Sequence, residues 1–180
     1  MNRSAYFNWL LLCVWAAWLC AFSGYMMQFA WPGIWAPDLG VALFVALAAR
    51  LPVHEIAKLA VCMGLARVAV TVDAPAGVLA AALVLGGALR IARSAVQVES
   101  PVIAAALAFL ACASQSTWLE FVHLHGVHIS GFEPPHPGVA WRAALTTAVV
   151  AGLLGGVLVN LPGVAGLTRR KSWAASASYR

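Results

Sequence analysis

Charged side chains are scarce: Asp, Glu, Lys and Arg make up 9% of the 180 residues, and only 6 of them are acidic. Soluble domains carry about 25% charged residues, so this sequence is too poor in charge, and at 63% hydrophobic too rich in apolar surface, to stay dispersed in water. Lipid is the solvent that suits it. Strict apolar–polar alternation is also lacking: runs such as Leu10 to Phe22 and Val102 to Ala113 are continuously apolar. That excludes a transmembrane barrel and leaves helices, the other structure able to satisfy its own backbone hydrogen bonds in hydrocarbon. There is no Gly-x-Ser-x-Gly elbow and no pair of carboxylates inside the apolar runs, which excludes the commonest serine and acid–base enzymes. Apart from Arg169-Arg170-Lys171, basic residues are scattered singly between apolar runs instead of gathered on one polar face, which excludes nucleic acid as a partner. Cysteine is limited to Cys13, Cys20, Cys62 and Cys112, all within apolar runs. Cys13 and Cys20 lie about two turns apart on one segment, too far to bridge, so free buried thiols are expected.

What is present is a series of apolar segments separated by breakers. Candidate spans cover residues 7–29, 38–51, 54–72, 77–93, 101–118 and 140–161, punctuated by Pro32, Gly33, Pro37, Pro52, Pro75, Gly77 and Pro101. The expected architecture is all-α: a polytopic integral membrane protein of about six transmembrane helices, forming one domain over residues 1–167 with a basic tail over 168–180. The second span is short for a bilayer about 30 Å thick and reads as starting earlier, thinning the membrane or being partly re-entrant. The first apolar run continues beyond the length of a secretion signal and has no clear small-x-small site, so an uncleaved first helix is expected.

Orientation follows from Lys and Arg. Arg3, Arg50, Lys58, Arg90, Arg93, Arg169, Arg170, Lys171 and Arg180 fall on one side, which predicts that this side and both termini are cytoplasmic. The opposite side holds Asp38, Asp73, Glu120 and Glu133, with Trp31, Trp35, Trp118 and Trp141 as an aromatic belt.

Few residues are suited to chemistry. His54-Glu55-Ile56-Ala57-Lys58 places a lysine where a helical zinc motif needs its second histidine, so it reads as a polar helix start. His123, His125, His128 and His136 lie in or beside the loop over residues 119–139. They are weak candidates for a borderline metal, unsupported by cysteine or by ordered carboxylates. Haem between the spans is disfavoured still more than a metal, because it needs histidines at facing depths and these sit at the margins, and no cofactor is expected. Arg67 is the exception, a charge within the third span about five residues from its outer end. Ser114, Gln115, Ser116 and Thr117 of the fifth span and Arg142, Thr146 and Thr147 of the sixth fall at the same depth. This layer is either an interhelical hydrogen-bond network or a polar pocket open to the exterior that takes a small-molecule ligand. Gly152 and Gly156, one step from Ala148, form a small-xxx-small face, and Gly86 and Gly87 suggest close packing in the fourth span.

From about residue 37 to 110 the sequence resembles the rod shape-determining protein MreD family. The resemblance is carried by Pro37-Asp38-Leu39 opening a short apolar span that ends at Arg50, by Met63-Gly64-Leu65-Ala66, and by Gly77 opening a small-residue helix that ends in Arg90 and Arg93. One departure stands out: where the family commonly has an acid shortly after Gly-Leu, this sequence has Arg67 and Val68, with Asp73 the first acid to follow. The resemblance implies a non-catalytic scaffold of the cell-elongation machinery that docks a single-pass partner similar to MreC. It also implies a fold resembling the substrate-capture subunits of energy-coupling-factor importers. A solute-transport component and an accessory subunit of a respiratory or photosynthetic complex are the alternatives.

Overall fold

The computed structural model describes residues 3–30, 35–71, 73–95, 100–125 and 137–168. The protein is an α-helical membrane protein, and no strand occurs among the described residues. Its helices are α1 (Arg3–Tyr25), continued by a π turn over Met26–Ala30, then α2 (Leu39–Ala48), α3 (Ile56–Val68), α4 (Pro75–Ala95), α5 (Pro101–His125) and α6 (Pro137–Val159). Three of them begin on proline, whose fixed φ suits the first helical turn and whose missing N–H is not needed there. Four segments are long and apolar enough to cross a membrane: Tyr6–Gln28, Pro75–Arg93, Pro101–Val122 and Ala140–Val159.

The second expected span, 38–51, is realised differently. Its helix has 10 residues, about 15 Å at 1.5 Å per residue, which is roughly half the hydrocarbon thickness. Every residue from Gly40 to Ala48 is buried, and α2 packs against α1, α3, α4, α5 and α6. A helix that is apolar all round has no face for water, and here it is sheathed by the other five. Leu43, Leu47 and Leu51 form the centre of the core with Leu12, Leu59 and Val159. The third expected span, 54–72, is also shorter, its α-helix covering Ile56–Val68 after a 3-10 turn at Val53–Glu55.

Helices consecutive in the chain run in opposite directions, which leaves α1 and α3 parallel. One end of the bundle collects the start of α1, the end of α2, the start of α3 and the ends of α4 and α6. There the chain turns after α6 at Gly163 (φ +83°), and Gly163 and Gly166 lie directly against Leu11 and Asn8 of α1. Trp15 of α1 donates its indole N–H to the Pro162 carbonyl across this end (3.2 Å). The opposite end holds Trp118, which donates to the Gly77 carbonyl (3.0 Å), and the edge-to-face pair Trp35–Trp141, 6.0 Å apart.

The expectation of four free thiols is corrected. Cys13 of α1 and Cys62 of α3 form a disulfide with Cα atoms 5.8 Å apart, while Cys20 and Cys112 are free. The helical spacing of Cys13 and Cys20 rightly excluded a bond between those two. It says nothing about a parallel helix 49 positions along the chain. The tail over residues 169–180, and with it Arg169, Arg170, Lys171 and Arg180, lies outside the described residues, as do Trp31, Pro32, Gly33 and Glu133.

Candidate functional site

The polar centre of the molecule is the N-terminus of α2. Pro37 keeps the preceding chain extended, and Asp38 takes the N-cap position with φ −83° and ψ 93°. Its Oδ1 accepts the Val41 N–H (3.0 Å). Two further backbone N–H groups at this end are satisfied by other helices: that of Asp38 donates to Thr147 Oγ1 of α6 (2.8 Å) and that of Leu39 to Ser23 Oγ of α1 (2.9 Å). Each hydroxyl in turn donates to its own helix, Thr147 to the Ala143 carbonyl and Ser23 to the Leu19 carbonyl. Left unmade in a bundle core, such groups would each cost several kcal/mol (on the order of 2–7).

Asp38 Oδ2 accepts from Arg67 Nη1 of α3, the one ion pair among the described residues. Asp38 therefore has two roles that sequence reasoning did not assign to it. The charge pattern places it among the exterior loop acids, whereas it caps the enclosed helix and neutralises Arg67. The pair is part-buried, with the two side chains 21% and 18% exposed. The carboxylate also faces the positive end of the α2 dipole, a favourable arrangement.

Beside the pair is a cavity of about 20 Å³, bordered by Cys20, Gly40, Met63, Gly64, Arg67 and the buried Gln115. That is room for about one water. Arg67 Nε is buried beside it without a protein partner. The walls are tight because glycines let backbones approach: a Cβ at Gly40 would lie 2.5 Å from Cys20 Sγ, and one at Gly64 2.9 Å from Leu79 Cδ2.

The other end of α2 is held in a complementary way. Arg93, from the last turn of α4, donates from Nη1 to the Ala48 carbonyl (3.1 Å) and to the Leu51 carbonyl. A cation on the terminal carbonyls satisfies acceptors that no helix can satisfy itself, and it opposes the negative end of the dipole.

Of the residues expected around Arg67, Gln115 lines its cavity and Thr147 joins it through Asp38. Ser114, Thr117 and Thr146 instead return their hydroxyls to their own helices, at Ala111, Ala113 and Arg142/Ala143 respectively. Arg142 sits nearer the Trp-bearing end, 5.7 and 5.4 Å from the Trp35 and Trp141 rings. Gly86 and Gly152 do mediate close packing: a Cβ would meet Ala60 Cβ at 2.8 Å and Ala105 Cβ at 3.3 Å, respectively. Gly87 has nothing within 4 Å, and Gly156 has only Arg50 Nη2 at 3.9 Å. His123 and His125 fall in the last turn of α5, and His128 and His136 lie outside the described residues. Among the described residues no three His, Cys, Asp or Glu side chains come together.

In chemical terms the arrangement is a joint. Two oppositely charged groups, two hydroxyls and a second arginine fix one short helix at both ends, and the cavity beside the ion pair is the size of a solvent molecule. Compared with protein-family models, with characterised proteins and with solved structures, the chain matches none.

Proposed function

We propose that this protein is a non-catalytic scaffold subunit of the bacterial inner membrane, crossing it six times and presenting a rigid bundle to a membrane-protein partner. The observation that carries this reading is the engagement of the interior polar groups. Asp38, Arg67, Ser23, Thr147 and Arg93 all hold α2 in place, and the cavity beside them is too small for a solute. A molecule whose charges fix its own shape is suited to being docked upon. The surface supports the same reading: Tyr6, Phe7, Val14, Trp18 and Tyr25 stand out along α1, with Trp18 and Phe22 stacked 5.3 Å apart. Such a stripe of large side chains at helical spacing offers van der Waals contact to a single transmembrane helix whose own facing residues are small.

Six crossings are supported by the antiparallel run of α1 to α6, with α2 and α3 as short passes sheltered by the rest. Termini on one side are supported by the approach of Asn8 and Leu11 to Gly166 and Gly163. The cytoplasm is assigned to that side because Arg50, Lys58, Arg90 and Arg93 belong to it. The resemblance to the MreD family gives the scaffold its proposed setting, the cell-elongation machinery, with an MreC-like single-pass protein as the partner. Its motif residues occupy structurally demanding positions here: Asp38 caps α2, Gly64 touches α4 and Gly77 packs on Val122.

The test is affinity purification of the tagged chain from its own membrane in mild detergent, with identification of stoichiometric companions. Recovery of a single-pass wall-elongation protein supports the proposal. An ATPase module with solute-dependent stabilisation would replace it with transport, the reading that the unpartnered Arg67 Nε favours. A pigment or haem complex would replace both.

A further inference from the structure

A second feature lies on the outside of the bundle, away from the Asp38–Arg67 joint. Between α1 and α3 runs an apolar groove of about 480 Å³, lined by Trp9, Leu10, Cys13, Val61 and Leu65, with Lys58 the only charged residue in its lining. Its volume falls in the range of about 300–1,000 Å³ usual for small-molecule sites. Leu10 and Leu65 are 62% and 53% exposed, so the groove faces whatever surrounds the bundle. Lys58 stands in the first turn of α3, at the end of the bundle that carries Arg50 and Arg93. Glu55 is one turn away, yet no ion pair joins the two, so that among the described residues the Lys58 ammonium has no carboxylate. No side chain caps the N-terminus of α3 or of the 3-10 turn before it, which leaves the positive end of that helix toward the same region.

We infer that this groove is a binding site for an anionic phospholipid, with an acyl chain along the wall formed by Leu10, Val61 and Leu65 and its phosphate at Lys58. Charge complementarity selects the occupant. An apolar channel ending in an unpaired cation and a helix N-terminus matches a chain ending in a phosphate anion, and basic pockets between transmembrane helices on the cytoplasmic side recognise such headgroups. A zwitterionic lipid fills the same channel but gains less from Lys58. The Cys13–Cys62 disulfide keeps the two walls at a fixed separation, so the groove is preformed.

The experiment is native mass spectrometry of the full-length protein in detergent, titrated with equal amounts of dioleoyl phosphatidylglycerol and dioleoyl phosphatidylcholine. The wild type is expected to retain phosphatidylglycerol preferentially. Lys58→Ala should lower that affinity about five-fold, the effect of one basic residue near an anionic lipid, and Lys58→Arg should restore it. Leu65→Trp, which fills the groove and leaves the cation in place, should weaken both lipids together. Equal retention of the two lipids, or an unchanged preference in Lys58→Ala, overturns the inference. So does a stable dimer that loses its association on Leu65→Trp, because the groove would then be taken by a second copy.

Discussion

Replacing Asp38 by asparagine separates charge from shape at the centre of the bundle. Asparagine is as good an N-cap as aspartate and can still accept the Val41 N–H, so the start of α2 keeps its local hydrogen bond. What is lost is the counter-charge of Arg67, whose guanidinium is held in the interior with its Nε already unpartnered. Breaking a buried pair from one side costs about 3–5 kcal/mol, and the partial exposure of both side chains puts this case near the lower end, about 3 kcal/mol. For a chain of this size 1 kcal/mol moves the melting temperature by about 2–4 °C, so Asp38→Asn should melt roughly 6–12 °C below the wild type. Arg67→Met alone leaves an unpaired carboxylate, which helix α2 still stabilises, and should cost less. The double variant Asp38→Asn with Arg67→Met leaves neither charge and should cost only about 1 kcal/mol, so that with about 1 kcal/mol for Arg67→Met alone the coupling is about 3 kcal/mol. Heating the purified variants in one detergent, and following loss of the monodisperse peak, measures all three. If Asp38→Asn melts within 2 °C of the wild type, or the double variant equals the sum of the singles, the pair is not what holds α2.

Three further outcomes follow from the same geometry. Arg93→Ala removes a charged donor from the Ala48 and Leu51 carbonyls and should cost about 2 kcal/mol by the same melting assay, with only partial recovery in Arg93→Lys, whose ammonium lacks the planar fork. Gly86→Ala should destabilise by about 1–3 kcal/mol because its methyl meets Ala60 at 2.8 Å, whereas Gly87→Ala, with nothing within 4 Å, should melt at or slightly above the wild-type temperature. Alkylation of the denatured, unreduced protein should label only Cys20 and Cys112, by intact mass, and all four cysteines after reduction; labelling of all four without reductant refutes the Cys13–Cys62 bond.

Composition and breakers report what each segment is dissolved in, and they located the apolar segments well: Pro75 and Pro101 open α4 and α5, and the residues around Pro52 and Gly77 mark real ends. They cannot report which way a segment faces when it is apolar all round. In a soluble bundle the polar face of each helix identifies its buried face by contrast, but α2 has no polar face and the outer helices meet lipid with side chains like those of the core. Lateral pairings are therefore illegible, which is why Cys13 was not matched with Cys62, nor Arg67 with an acid 29 residues before it. Depth is the coordinate that survives. It places Gln115 and Thr147 in the layer of Arg67, and the length of α2 weighed against its flanks places Asp38 there too. An apolar run of about 10–14 residues is too short to span and belongs either in a core or in a re-entrant segment. Asp38 opens such a run and Arg50 closes it, so the carboxylate is drawn inward with the helix it caps. An acid at the head of a half-length apolar helix and a lone arginine at matching depth in the next segment is a pairing that sequence can supply. It holds wherever the alternative is an unpaired charge in hydrocarbon.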